Sequence, residues 1–500
     1  MRRRHTLVWI GFLLTVAAAL WGMAALSAWL TREHLSARAA NTWSALREGR
    51  PLWQWPLQRP DDLVARRVFG RAELARTAQG LRITSLDGSP FELGLPLPAP
   101  VDLVHWPLLQ LHAQSTEPGT LSVRYQASES SPACQTDLPV PLPAETPPPL
   151  LNLQQLTWRT EHDATCPPPT HVAYMLRLQI QVPAHATVAV ERAGMLASPL
   201  NLRASAPGET AAEILLPLPP GTPVADTQGA PLVRLPAGAS SESMLLLRDY
   251  ARQTWPSALI LPAGQTLATT AHGRLPPWID WASLGLYLIF LITLSWRHTR
   301  EVRRPWLEVA AIALGPLWLI AGLRWDAEPS IPGAMAFVSA LIYGGLGEWR
   351  RRPVAWSWSA RRPSDWLWPL LPLPVAAALI ALDGHGLTRL PTLHILAYFA
   401  WALLQQWAML ALVMGRLRQT RLPMLAVIVI TATLFGLLHT PNGALMQLCL
   451  MAELWWAWCF FRAPRLLPIA VAHALAALLV ESGLTGHWLR SLEVSARFFL

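Results

Sequence analysis

Residues 422–442 read LPMLAVIVITATLFGLLHTPN, an apolar run that closes on a histidine, a proline and an asparagine. The run suits a membrane-crossing helix at about 423–439. Within it Phe435 and His439 stand four apart, so on a helix they share one face. A second histidine, His473, sits in PIAVAHALAALL (468–479), and Gln405 and Gln406 form an amide pair in WALLQQWAML (401–410). Polar groups inside apolar spans are costly, which marks them as candidates for function. The fold class that follows is a polytopic α-helical membrane protein with its chemistry inside the helical bundle.

The composition agrees. Of 500 residues 52% are hydrophobic and 14% charged, and the mean hydropathy is +0.29. Further spans are expected at about 278–296, 306–323, 331–347, 366–383, 392–415, 443–461 and 466–482. A run from about Leu7 to Leu30 brings the expected total to about nine. The net charge of +9 does not point to nucleic acid, because all 40 cations are arginine and many gather between apolar runs. These loops hold Arg297, Arg300, Arg303 and Arg304; Arg350 to Arg352 with Arg361 and Arg362; Arg416, Arg418 and Arg421; and Arg462 with Arg465. The positive-inside rule makes them cytoplasmic and leaves the arginine-poor loops 324–330, 383–391 and 439–443 outside. The N-terminus is then cytoplasmic, the C-terminal tail extracytoplasmic, and the expected location the bacterial inner membrane. Trp306, Trp325, Trp349 and Trp366 flank spans as interfacial anchors do.

Arg2, Arg3 and Arg4 precede the first run, which is long for a cleaved signal peptide and reads as an uncleaved anchor, residues 1–30. Residues 31–277 follow as an extracytoplasmic domain: a polar helical stalk (Arg32 to Gly49), then short alternating runs separated by Pro, Gly, Asp and Ser. Such runs predict an antiparallel β-sandwich. In LRLQIQV, Leu176, Leu178 and Ile180 fall on one side, and Arg177, Gln179 and Gln181 on the other. Cys134 and Cys166 both lie here, where an oxidising compartment favours their pairing. Trp53, Trp55 and Trp106 suit core packing, with sugar stacking and hence a glycan partner as the alternative. A Pro-rich stretch, about 206–277, carries one helical patch, Ser241 to Arg252. Beyond it lie three helices and a basic loop (278–365), the bundle with the polar groups (366–482) and a tail (483–500).

No HExxH, Walker loop or GxSxG occurs. The intramembrane set is Gln405, Gln406, His439, Glu453 and His473. Glu453 lies mid-span in CLMAELWWAWCFF (449–461), where a buried carboxylate needs a partner, His439 or His473. No cofactor is expected; two histidines with Glu453 as zinc ligands are a minor alternative. His394 and Glu481 read as interfacial.

FGLLHTPN resembles the second motif, FxxxH, of the CAAX-protease and bacteriocin-processing family (CPBP, or ABI). HALAA, after a basic loop and a proline, is similar to that family's third motif, and Gln405-Gln406 to Leu410 stands in the place of its first, EExxxR. The resemblance covers about 366–482 and implies an intramembrane endopeptidase of glutamate type. In it a Glu activates water, the histidines polarise the scissile carbonyl, and an Asn helps hold the oxyanion. Phe435, His439 and His473 match. Gln405 and Gln406 replace the Glu pair, Leu410 the Arg, and Ala477 the Asn. An amide cannot take a proton from water, so either another carboxylate substitutes, with Glu453 the candidate base or else a structural partner within the bundle, or the protein is a poor or inactive protease. Expected catalytic residues are therefore His439, His473, Glu453 and Gln405, with Gln406, Phe435 and Asn442 lining the site. The expected partners are the lipid bilayer and a membrane or exported polypeptide. The alternative function is an inactive pseudoprotease that acts in membrane binding or assembly.

Overall fold

The structure, a computed structural model, describes residues 2–97, 101, 103, 106–128, 131–142, 150–161, 163–169, 173–197, 214–215, 232–254, 258–268, 275–276, 278–296, 304–323, 330–350, 356–360, 362–486 and 489–499. Arg297, Arg300, Arg303, Arg351, Arg352, Arg361, Trp325 and most of loop 324–330 lie outside them, as does much of the Pro-rich stretch. The chain divides into two compact units, one of residues 34–238 with 246–272 and one of residues 1–33, 239–245 and 273–500.

In the first unit the alternating runs pair into two antiparallel sheets. One orders Leu151–Asn152, Leu108–Ser115, Thr187–Leu196, Leu81–Ser85 and Ala72–Arg76, with Trp53–Trp55 added to Thr187–Leu196. The other orders Thr165–Cys166, Trp158–Thr160, Cys134–Thr136, Gly119–Gln126, Met175–Gln181, Phe91–Leu95 and Val68–Phe69, with Val140–Leu142 on Gly119–Gln126. Strand alternation sends one face of each sheet inward. Ile83, Leu111 and Val188 from one sheet, and Leu93, Val123 and Leu178 from the other, share one buried cluster. Leu176, Leu178 and Ile180 are each at most 1% exposed. Trp106 is fully buried and packs edge-on against Trp53, and Trp55 Nε1 donates to the Pro96 carbonyl. Trp55 and Trp106 thus belong to the core, and Trp53 is half-buried against it. Cys134 and Cys166 are disulfide-bonded, their Cα atoms 6.1 Å apart. A third, parallel sheet joins Ile214–Leu215, Leu232–Arg234 and Leu259–Leu261.

Glu92, on an outer face yet only 8% exposed, accepts from Arg124 and from Arg177 Nη1 at 2.8 Å. Burial alone would push its pKa up, but the bonds from Arg177 and Arg124 outweigh that and hold the carboxyl below its ordinary value. A depressed carboxyl contributes stability above the usual carboxylate range and loses it as pH falls through the folded pKa. Amide protection factors of Phe91–Leu95 and Met175–Gln181 therefore fall more steeply in the wild type than in Glu92→Gln as pH drops below the ordinary carboxylate range. Equal acid sensitivity of the two proteins would refute this role.

The second unit is helical. Its elements are α1 (Arg2–Glu48, whose residues up to Glu33 belong here), α2 (Ser241–Thr254, whose first turn belongs here), α3 (Trp278–Trp296), α4 (Arg304–Ala321) and α5 (Ile331–Arg350). They are followed by α6 (Pro363–Asp383), α7 (Thr392–Leu417), α8 (Met424–Leu437), α9 (Gly443–Arg462) and α10 (Leu466–Leu484). Helix α1 is about 70 Å long by its rise; its apolar part is long enough to cross a membrane, whereas Leu35, Ala39, Trp43 and Leu46 beyond it are each at most 4% exposed, so this end is not the solvated polar stalk expected. Outward-facing Leu7, Trp21, Leu286, Leu382 and Leu396 are each more than 60% exposed. Such surfaces suit lipid, not water.

Among the described residues eight helices are long and apolar enough to cross a membrane. The ninth expected span is the correction. Helix α8 has 14 residues, about 21 Å, against about 30 Å of hydrocarbon. Pro441 lacks an N–H and biases Thr440 away from helical geometry, so the chain turns early. Glycine permits the close packing here: a Cβ on Gly436 would lie 2.6 Å from Met23 Cε and 2.8 Å from the Met446 carbonyl oxygen.

Candidate active site

The short α8 decides the geometry. Because it stops at Leu437, His439 sits in the turn before α9 and packs on the Phe435 ring, centroids 5.0 Å apart. His473, mid-way along α10, packs on the same ring at 5.5 Å. Phe435 therefore separates and aligns the two imidazoles. Trp456 and Tyr398 enclose His473 further, at 4.9 and 6.5 Å. His439 is 9% exposed and His473 4%.

Gln406, fully buried on α7, links the other groups. Its Nε2 donates to Glu453 Oε2 at 2.9 Å and to His473 Nδ1 at 3.2 Å, using both amide hydrogens. Glu453 is also fully buried, and α9 delivers it to the site from the helix following His439. Directly after Gln406 the helix widens to π geometry over Trp407–Met414. Such stretches insert extra residues into a turn and are frequent at functional sites.

These bonds assign the protons. His439 Nδ1 lies 2.9 Å from the Phe435 carbonyl oxygen, which can only accept. Nδ1 therefore carries hydrogen, and Nε2 of the neutral ring presents a lone pair. His473 Nδ1 faces an amide N–H and must accept, so its hydrogen is on Nε2. One imidazole thus offers an acceptor and the other a donor. Gln406 Oε1 and Glu453 Oε1 are buried without a hydrogen-bond partner among the described residues. Buried oxygens of that kind receive a water or a substrate group.

Several expected site residues stand elsewhere. Gln405 does not join the cluster; neighbours on a helix point about 100° apart, and Gln406 takes the inward position. Gln405 instead lines a separate apolar cavity. Asn442 caps α9, its Oδ1 accepting from Leu445 N at 3.1 Å while Nδ2 donates to the Ser491 and Glu493 carbonyls. All its polar atoms are engaged in holding the turn, so it does not line the site. Glu453 meets His473 only through Gln406. His394 Nε2 and Glu481 Oε2 pair with each other 3.0 Å apart, away from the cluster. Leu410 is fully buried in the apolar core and Ala477 is partly buried. Among the described residues no group of three or more His, Cys, Asp or Glu is arranged to hold a metal ion.

The turn bearing His439 is held from several sides. Ser27 of α1 donates to the Pro441 carbonyl and shares a hydrogen bond with Ser241. Glu242 Oε1 accepts from Ala444 N at 2.9 Å, and Ser495 N donates to the Thr440 carbonyl at 3.0 Å. Trp456 and Tyr398 were missed as lining residues, although the spacing hints at them. Trp456 is three after Glu453 and Tyr398 eight before Gln406, each on its partner's helix face.

Fold and cluster define a class: a helical membrane-type protein with a histidine pair, a carboxylate and an amide converging in its bundle. Residues 387–479, which contain all five of Gln406, Phe435, His439, Glu453 and His473, match the family described as type II CAAX prenyl endopeptidase Rce1-like. This agrees with the resemblance carried by FGLLHTPN and HALAA. No curated protein and no solved structure matches the chain.

Proposed function

We propose that the chain is an intramembrane endopeptidase that cleaves membrane or exported polypeptides, with its carboxylate on α9 instead of α7. The observation that carries this reading is the Gln406 amide, which bonds Glu453 and His473 together in a buried cluster that His439 joins across Phe435. In the proposed reaction Glu453 takes a proton from water, and the water oxygen attacks the scissile carbonyl carbon. His439 Nε2 accepts the second water hydrogen and orients the nucleophile. His473 Nε2–H donates to the carbonyl oxygen as it gains charge. The C–N bond then breaks, and the proton on Glu453 leaves with the amine.

The arginine distribution supports a cytoplasmic N-terminus, with the β-rich residues 31–277 and the C-terminal tail outside a bacterial inner membrane. The boundaries 1–30, 31–277, 278–365, 366–482 and 483–500 are proposed for the anchor, β-rich domain, three-helix segment, CAAX-protease-like bundle and tail. One observation favours the second reading, an inactive relative: Gln405 and Gln406 stand where the family carries glutamates.

The test uses purified protein in lipid vesicles with a library of membrane-spanning peptides, cleavage read by mass spectrometry. His473→Ala lowers kcat by about 10²–10³ as an oxyanion donor is lost, and His439→Ala lowers it by about 10²–10⁴. Cleavage indifferent to both changes, or absent from the wild type, would overturn the peptidase reading.

A further inference from the structure

Beside the cluster lies a small, partly open apolar cavity of about 50 Å³ between α4, α5 and α7. Ile312, Pro316, Phe337, Leu341, Trp401 and Met409 supply apolar wall, and Gln405 supplies an amide to it. The Oε1 of Gln405 is buried and has no hydrogen-bond partner among the described residues. An amide acceptor left thus at span depth costs about 1–3 kcal/mol, so it calls for a donor brought by an occupant. The α4 and α5 walls lie outside the segment that matches the endopeptidase family.

Two junctions tie the cavity to the site. Leu438 lines the cavity and precedes His439; Gln405 lines it and precedes Gln406. An occupant thus sits one residue away from two members of the cluster. We infer that the cavity is a substrate subsite, taking apolar side chains of a membrane polypeptide while one of its backbone N–H groups donates to Gln405 Oε1. An unwound stretch of chain is the apolar species that supplies such a donor, and peptide hydrolysis requires unwound chain at the scissile bond. Ester-linked acyl chains carry no donor at this depth. The identity of the occupant rests on the endopeptidase reading of the neighbouring site; the existence of a donor-seeking apolar pocket does not.

Photo-crosslinking separates the two because it needs no turnover. A membrane-spanning peptide bearing photoreactive leucine, and phosphatidylcholine bearing a photoreactive acyl chain, are each incorporated with the full-length protein in vesicles. The peptide labels Phe337, Leu341 or Met409. Ala408→Phe and Leu341→Phe, which fill the cavity from opposite walls, each reduce that labelling at least tenfold, and Gln405→Leu reduces it about fivefold. Labelling by the acyl chain with none by the peptide overturns the inference, as does peptide labelling that all three variants leave unchanged. An enzymatically silent protein that still labels in this pattern supports the subsite while refuting catalysis.

Discussion

Replacing Glu453 by glutamine lowers kcat for membrane-peptide cleavage by about 10³ while the bundle stays folded. The change is isosteric, and the new amide oxygen still accepts from Gln406 Nε2, now 2.9 Å from Glu453 Oε2. Only the capacity to take a proton from water is lost, an effect of about 10²–10⁴ for general base catalysis. Glu453→Leu behaves differently. It leaves a fully buried Gln406 N–H without an acceptor, at about 1–3 kcal/mol, and so lowers both the melting temperature and the rate. Paired measurement of kcat and thermal stability therefore distinguishes a proton-transfer role from a packing role. A Glu453→Gln enzyme with wild-type kcat would remove Glu453 as base.

What the sequence made legible follows the range of the signal. Alternation in LRLQIQV and the apolar runs between arginine loops are local patterns, and the sandwich strand at Met175–Gln181 and the helices appear where those patterns stand. The two histidines came together on a motif spacing, FxxxH, that survives because Phe435 physically lies between them. Which member of the Gln405–Gln406 pair faces inward was not legible. Two adjacent residues differ only in helix phase, and the π stretch after them shifts that phase. Asn442 looked like a site residue because it ends the motif, yet Asn is also a preferred N-cap, and no sequence pattern separates the two roles. Arg416 shows the other limit. It reads as one of three loop arginines, and the carboxylates that bury it are 108 and 68 positions away.

Arg416 is the centre of the second large effect. Its side chain is 1% exposed, with Nε 3.3 Å from Glu308 Oε2 and Nη1 2.8 Å from Glu348 Oε2. Nη2 donates to the Gly344 carbonyl at 3.0 Å, and Gly347 leaves room, since a Cβ there would lie 2.9 Å from Nη2. Glu308 is shared with Arg304 Nε at 2.9 Å, and Glu348 accepts from Trp356 Nε1 at 3.3 Å. One guanidinium thus fastens the end of α7, which carries Gln406, to α4 and α5. Arg416→Met preserves much of the volume but takes the guanidinium from Glu348 and leaves Arg304 as the cation on Glu308, and it lowers stability by about 3–5 kcal/mol. Arg416→Lys falls between, because a single ammonium cannot span both carboxylates with the planar fork of arginine. The triple variant Arg416→Met, Glu308→Gln and Glu348→Gln recovers most of the loss, since it removes the buried carboxylate charges together with the guanidinium and keeps only the part-exposed Arg304. Denaturant titration of the protein in detergent micelles measures all three. If the single methionine variant is as stable as the wild type, the network does not fasten the helices; if the triple variant is no better than the single, uncompensated charge is not the cause.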